Sequence, residues 1–511
     1  MSAEEGVQFP SDSNGKRSTL AGGKLIFAAA AGAADASLAE AISGEKNWRQ
    51  EYTKHLTRLM EVSAASPENA LKMADAGLDA LYTNFEFVRD GANVRLPEAM
   101  AKPSAQRALS TGKVIGAMPP ALTLEVPYEG KQLSGPALSA QIQAWADYGC
   151  MEPDCAAALS SLVGGGKALD LRGKVFVVLG ATSALGPLKS LLLWGATVVG
   201  VARRKRENWS SLIEFARASS GTLIFPLYKP TDATASDEVL AAAAGADLMV
   251  DTPEIGAWLK GVLATLKAPA VMGMYTYLDS DQHVRVSLAC DAVMREAVDS
   301  KSASGLAFIQ TPSIAVDVPP AVHAAAQAAY NASWLSMLGY APNARPAVKS
   351  ATTGAPDRFV EDLFLSLQGP NYALAKSMQM WRQLLARCRD GVLVSTNVAP
   401  AARTASVVSG DNKNAGTVAV ALEGTGYFKP LAVFDGETVS VCMAALLVYD
   451  VLNPASLANP RVSLAHPHDL LSANAFHGGY YRCGIKPAAL AKLQFLSGKL
   501  LGRAKAPISH L

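Results

Sequence analysis

The residues of this chain with the strongest claim to chemistry begin at Gly180-Ala181-Thr182-Ser183-Ala184-Leu185-Gly186. They follow an apolar run, Lys174 to Leu179, and precede a segment that opens with Pro187 and reads as helix. A buried strand, a tight glycine turn and a helix N-terminus together cradle a pyrophosphate, because backbone N–H groups and the positive end of the helix both face the anion. Gly180 and Gly186 let the phosphate approach, and Thr182 and Ser183 can donate hydroxyls to it. The next apolar run, Thr197 to Ala202, leads into Arg203-Arg204-Lys205-Arg206. An NAD site wants a carboxylate at that strand end for the ribose 2′-hydroxyl. None is present, and arginine there suits a 2′-phosphate, so the expected cofactor is NADP(H), held by Arg203 and Arg204.

Other chemistries find less support. His466, His468 and His477 fall within twelve residues, but Pro467 keeps the segment extended and the spacing matches no zinc pattern, so no metal is assigned. This stretch reads as a loop at the surface or at the rim of an active site. The six cysteines are scattered without a C-x-x-C pair, which fits a reducing compartment. G-x-S-x-G, the turn of serine hydrolases, does not occur.

Positioning a dinucleotide needs a particular sheet, and the pattern after Gly164-Gly165-Gly166 supplies one. Strands are expected at 175–179, 197–202, 222–226 and 247–250, alternating with helices at 187–194, 209–218 and 237–244. Segments 270–274, 306–310 and 391–395 extend the series. Strands spaced by helices of this length imply right-handed crossovers and a parallel sheet covered on both faces. The expected fold class is therefore α/β, a doubly wound parallel sheet of six or seven strands of Rossmann type.

The expected organisation is a flexible lead-in (1–21), a mostly helical N-terminal domain (22–162) and a glycine hinge (163–167). The Rossmann domain (168–410) follows, with an insertion near 342–369, and then a C-terminal extension (411–511).

The stretch from Lys174 to Thr404 resembles the short-chain dehydrogenase/reductase superfamily, whose members move hydride between NAD(P) and carbonyl or alcohol substrates. Its T-G-x-x-x-G-x-G turn aligns with Leu179 to Gly186, with Ala184 at the middle glycine. The resemblance implies that Asp232 sits beside the adenine and that Asp251-Thr252-Pro253-Glu254 replaces N-N-A-G after the fourth strand. Leu306 to Ser313 looks like the fifth strand running into the catalytic serine, Ser313. Tyr330 stands as the proton donor of Y-x-x-x-K, with Trp334 where the lysine belongs. Val392 to Pro400 and then Thr404 resemble the sixth strand and the loop that meets the nicotinamide carboxamide. Two functions follow: an NADP(H)-dependent oxidoreductase acting on a carbonyl, alcohol or acyl substrate, or a degenerate member serving as a cofactor-binding or structural subunit.

Of the 511 residues 50% are hydrophobic and 18% charged, which describes a core-rich globular chain. The 46 basic and 44 acidic residues balance to +2, too even for a nucleic-acid or anionic-membrane footprint. A small-molecule substrate is the expected partner, with no membrane span. The resemblance adds a homodimer through helices flanking the sheet, or a larger protein complex. A cytoplasmic location is expected, with a peroxisomal alternative because Ser509-His510-Leu511 resembles an import tripeptide.

Overall fold

A computed structural model describes residues 5–232, 235–351, 354, 356–365, 367–404 and 415–504. Ser509-His510-Leu511 lies outside the described residues. The protein is built on a seven-stranded, mostly parallel α/β sheet.

Six strands run parallel, and they are numbered here by position in the chain: first Val175–Leu179, second Thr197–Val201, third Thr222–Leu227, fourth Ala270–Met274, fifth Ala303–Gln310 and sixth Leu393–Val398. Across the sheet they lie in the order sixth, fifth, fourth, first, second, third. The seventh, Ser110–Ile115, closes the edge antiparallel to the third. The order reverses between the first and fourth strands, the place where doubly wound sheets commonly bind their ligands.

Each face of the sheet is covered by helices, which is why the strands read as continuous apolar runs. Phe176 and Val178 point to one side, where they share a core with Leu191, Ile213 and Met443 from three helices, Leu188–Leu193, Arg206–Arg217 and Gly436–Leu452. Val175, Val177 and Leu179 point to the other, against Leu259 and Val293 of Thr252–Thr265 and Asp281–Asp299.

The expected strand at 247–250 is instead a turn. The Asp247 carboxylate accepts the backbone N–H groups of Met249 and Val250, and the Asp251 carboxylate accepts that of Asp247, so the side chains take the donors a strand would have needed. The helix Thr252–Thr265 starts directly afterwards with Pro253 in its first turn. The fourth strand is therefore Ala270–Met274, and the loop that leaves it is Tyr275-Thr276-Tyr277.

The N-terminal helices close the outside of one helical layer. Thr19–Gly32, Trp48–Ala64 and Pro67–Asn84 pack Phe27, Trp48 and Leu81 onto Leu288 and Trp381 of the helices Asp281–Asp299 and Pro370–Cys388. Arg382 grips Asp291 with two hydrogen bonds of 2.7 and 2.8 Å, and the Tyr82 hydroxyl donates to the same carboxylate at 2.8 Å. These flanking helices are thus covered on their outer face by the N-terminal helices of the same chain. The segment 22–162 also reaches beyond a helical unit: Ser110–Ile115 joins the main sheet, and Trp145 and Leu159 lie in the same core as Phe176.

The closest approach in this layer is at Gly77, where a Cβ atom would come within 2.5 Å of the Trp381 ring. Gly77→Val is expected to destabilise the fold by about 1–3 kcal/mol through overpacking. Urea denaturation reads this as a lowered midpoint; an unchanged midpoint would contradict the docking.

Candidate functional site

The site lies at the carboxyl ends of the strands. Gly180 leaves the first strand with φ +93°, a conformation that glycine adopts freely. A Cβ there would come within 3.0 Å of the Tyr275 backbone, so the loops after the first and fourth strands are packed as closely as glycine permits. The N–H groups of Gly180 and Ala181 both donate to Val201 O, and those of Ser183 and Gly186 close two successive turns. The N–H groups of Thr182, Ala184 and Leu185 find no protein acceptor among the described contacts, which leaves three donors at the loop. Thr182 is exposed and Ser183 half-buried. Ser440, on the helix Gly436–Leu452, donates to Gly186 O at 2.9 Å and fixes the end of the turn. The helix that follows is a single short piece, Leu188–Leu193, so the free N–H groups carry the cradle more than a helix dipole does.

At the end of the second strand Arg203 is exposed, and its backbone carbonyl accepts the Trp209 indole N–H at 3.0 Å. Arg204 is drawn away. It pairs with the buried Asp251 carboxylate at 2.8 Å and lies over the Tyr228 ring at 4.7 Å. Of the two arginines expected to hold a 2′-phosphate, Arg204 is thus ion-paired with its side chain still 44% exposed, whereas Arg203 has no ion pair among the described contacts. Asp232 is exposed on the loop after the third strand. Thr404 is buried, and its methyl group lies 3.4 Å from the place a Cβ would take on Gly436, at the start of the helix that also touches Gly186.

Ser313 is buried just past the fifth strand, where its hydroxyl lies 2.7 Å from Thr311 Oγ1 and accepts the Gln368 amide N–H at 2.7 Å. Tyr330 is not brought to it. The Tyr330 hydroxyl donates to Tyr340 O at 3.1 Å, and among the described contacts none joins Tyr330 to Ser313. Nor does Trp334 stand one turn further along the same helix. Pro320–Ala332 ends at Ser333, whose ψ of 129° is extended, and Trp334 begins a separate short helix with 60% of its surface exposed.

A different tyrosine meets the serine. Tyr372 lies in the first turn of the helix Pro370–Cys388, with its phenol close enough to the Thr311 and Ser313 hydroxyls to be influenced by both. Lys376 follows four residues later, on the same helix face. Burial pushes the Tyr372 phenol well above its ordinary pKa, and the Thr311 and Ser313 hydroxyls pull it part of the way back. It is thus a protonated donor at neutral pH. Burial also brings the Lys376 ammonium down to about 8. Its Nζ donates to Ile309 O of the fifth strand at 3.0 Å and to Gln379 Oε1 at 3.1 Å, leaving one N–H unspent. His283 stacks on the Tyr372 ring with centroids 5.5 Å apart, and burial together with the Lys376 charge lowers its pKa to about 3.

The spacing Tyr372-Ala373-Leu374-Ala375-Lys376 is itself Y-x-x-x-K, so a signal for this pair is present in the sequence. What hides it is the chain between Ser313 and the helix. This stretch, which begins well before the insertion expected near 342–369, forms a small antiparallel sheet in which Ala315–Val318 pairs with Pro356–Asp362, returning the chain to its starting point.

The C-terminal histidines are buried rather than at the surface or a rim. His477 accompanies Arg482 on Glu152, and their contacts hold that carboxyl at about 2 against the cost of burial, which also lowers the pKa of His477. Asp317, His466 and His468 place one potential ligand atom each within 4.8 Å of one another. Their hydrogen bonds argue against a cation there. His466 Nδ1 accepts the His468 backbone N–H, which leaves its proton on Nε2, and the Arg358 guanidinium already sits 2.7 Å from Asp317.

No protein-family model matches the sequence, and no curated protein matches it. Among the described residues no helix is long and apolar enough to cross a membrane.

The Lys376 environment predicts a lysine that loses its proton near pH 8. NMR titration of 13C-labelled lysines should show one such midpoint, absent from Lys376→Met; a Lys376 midpoint near 10.4, the ordinary value, would contradict the buried setting.

Proposed function

We propose that the protein is an NADP(H)-dependent oxidoreductase of short-chain dehydrogenase/reductase type, with Ser313, Tyr372 and Lys376 at its reacting centre. One observation carries this reading: the fifth strand and the helix Pro370–Cys388 bring Ser313, Tyr372 and Lys376 to the carboxyl end of the sheet, where the Tyr372 ring meets Tyr277 of the loop after the fourth strand with centroids 6.4 Å apart. The reversal of strand order is where doubly wound sheets bind dinucleotides.

The residues present fit NADP(H). Gly180 gives the turn a positive φ and a close approach to the Tyr275 backbone that no side chain would allow, and the three N–H groups without a protein acceptor offer donors for phosphate. Arg203 provides a guanidinium for the 2′-phosphate. NADP(H), when bound, supplies or takes the hydride. This chain's own groups handle the substrate oxygen and its proton.

In the reducing direction, Ser313 donates its O–H to the carbonyl oxygen, a role for which its hydroxyl is prepared by accepting the Gln368 N–H. Tyr372 passes its phenolic proton to the same oxygen as the carbonyl carbon takes up hydride, giving the alcohol and leaving a phenolate. The Lys376 ammonium, one helical turn along, offsets that negative charge. General acid catalysis of this kind contributes roughly 10²–10⁴-fold.

Tyr372→Phe is accordingly expected to lower carbonyl reduction by about 10²-fold or more while NADPH affinity, measured calorimetrically, stays close to wild type. Tyr330→Phe should leave both unchanged. Arg203→Asp should move cofactor preference from NADPH towards NADH. Absence of heat with both cofactors would sink the oxidoreductase reading and favour a subunit whose sheet serves interaction; full activity in Tyr372→Phe would refute the assignment of the proton donor.

A further inference from the structure

The N-terminal helix Trp48–Ala64 does more than pack. Its Tyr52 hydroxyl donates to Gln368 O at 2.6 Å, so it steadies the residue that bonds Ser313. Between this helix and the helix Pro370–Cys388 lie two adjoining cavities of about 20 and 40 Å³, which share Met60, Ile314, Met380 and His468 as walls. A water needs roughly 10–15 Å³ of such volume, so the pair offers room for a short run of methylenes.

Each cavity is lined by a residue that adjoins the reacting centre. Thr311, whose Oγ1 lies 2.7 Å from Ser313 Oγ, lines the smaller. Ala373, next in the chain to Tyr372, lines the larger. Their surface is mostly apolar, and Met60, Met73 and Met380 contribute flexible thioethers that can move aside for a chain. His468 is already spent, its ring nitrogens bonded with Asp317 and Ser63 at 3.1 and 2.9 Å. Gln310 is not. It lines the smaller cavity, is 4% exposed, and neither its amide nitrogen nor its oxygen has a partner among the described residues. Leaving such a group bare in the interior costs about 1–3 kcal/mol, which points to a polar atom that arrives with a ligand.

We propose that this cavity takes the tail of a linear aliphatic carbonyl compound, with the carbonyl at Ser313 and Tyr372 and the chain running between the Trp48–Ala64 and Pro370–Cys388 helices. The placement of the carbonyl rests on the oxidoreductase reading; the affinity of the cavity for an alkyl chain does not. Gln310 then serves an oxygen carried on the chain beyond the reacting carbon.

Calorimetric titration of the full-length protein with 2-alkanones, from 2-butanone to 2-nonanone, tests this directly. Affinity should rise about fourfold per added methylene until the cavity is filled and then level off. Met60→Phe and Ala373→Leu, each of which fills part of the space, should lower 2-octanone affinity at least tenfold and bring the plateau to shorter chains. NADPH titrations of the same samples should be unaffected. Affinity that does not depend on chain length, or that is unchanged in a filled variant retaining the wild-type melting temperature, overturns the proposal. Chain-length-dependent binding without any NADPH heat would instead overturn the cofactor reading and leave the cavity assignment standing.

Discussion

The whole site depends on how the first strand is hydrogen-bonded. Val175–Leu179 pairs in parallel with Thr197–Val201 on one side and with Ala270–Met274 on the other. Each parallel partner must be reached by a crossover, so the chain proceeds from the first strand towards one edge of the sheet and from the fourth towards the other. Gly180 lets the loops that leave the two strands meet, because only a residue without Cβ accepts both its positive φ and its contact with the Tyr275 backbone. The position of the proposed site is therefore a consequence of strand order and of one glycine, and the groups around it are delivered by neighbouring strands.

Those groups come from segments far apart in the chain. Ser313 lies just past the fifth strand, whereas Tyr372 and Lys376 lie in the first two turns of the helix that leads to the sixth. The insertion between them returns to its starting point through the pairing of Ala315–Val318 with Pro356–Asp362, so a large addition leaves the geometry of the site intact. It also carries Tyr330 away, onto a helix whose tyrosine bonds Tyr340 instead. Gln368, at the end of the insertion, and Tyr52, from the N-terminal helices, complete the surroundings of Ser313. The N-terminal helices thus form one wall of the site as well as one layer of the fold.

Much of the sheet was legible in the sequence because buried parallel strands are apolar throughout and bounded by glycine and charge. Val175–Leu179 is an example, and the glycine turn after it signals the site. The segment 247–250 misleads because Leu248, Met249 and Val250 look like a strand, while the decisive interaction is local, two aspartates taking the backbone donors. The Tyr–Lys pair has its spacing in plain view, but proximity in sequence favours Tyr330 and only the return of the insertion selects Tyr372. Arg204 illustrates the same limit: its position suits a phosphate, and its buried partner Asp251 is visible only in three dimensions. The burial of His466, His468 and His477 follows likewise from partners supplied by other segments, among them Asp317 and Glu152.

The central claim is that a dinucleotide binds where the strand order reverses, between the first and fourth strands. Hydrogen–deuterium exchange with and without NADPH tests it most directly, because the free N–H groups of Thr182, Ala184 and Leu185 must gain acceptors when phosphate binds. The account predicts slowed exchange in 180–187, with further protection in 203–206 and 275–280. Unchanged exchange in 180–187 under saturating NADPH, or protection confined to another part of the molecule, would contradict it.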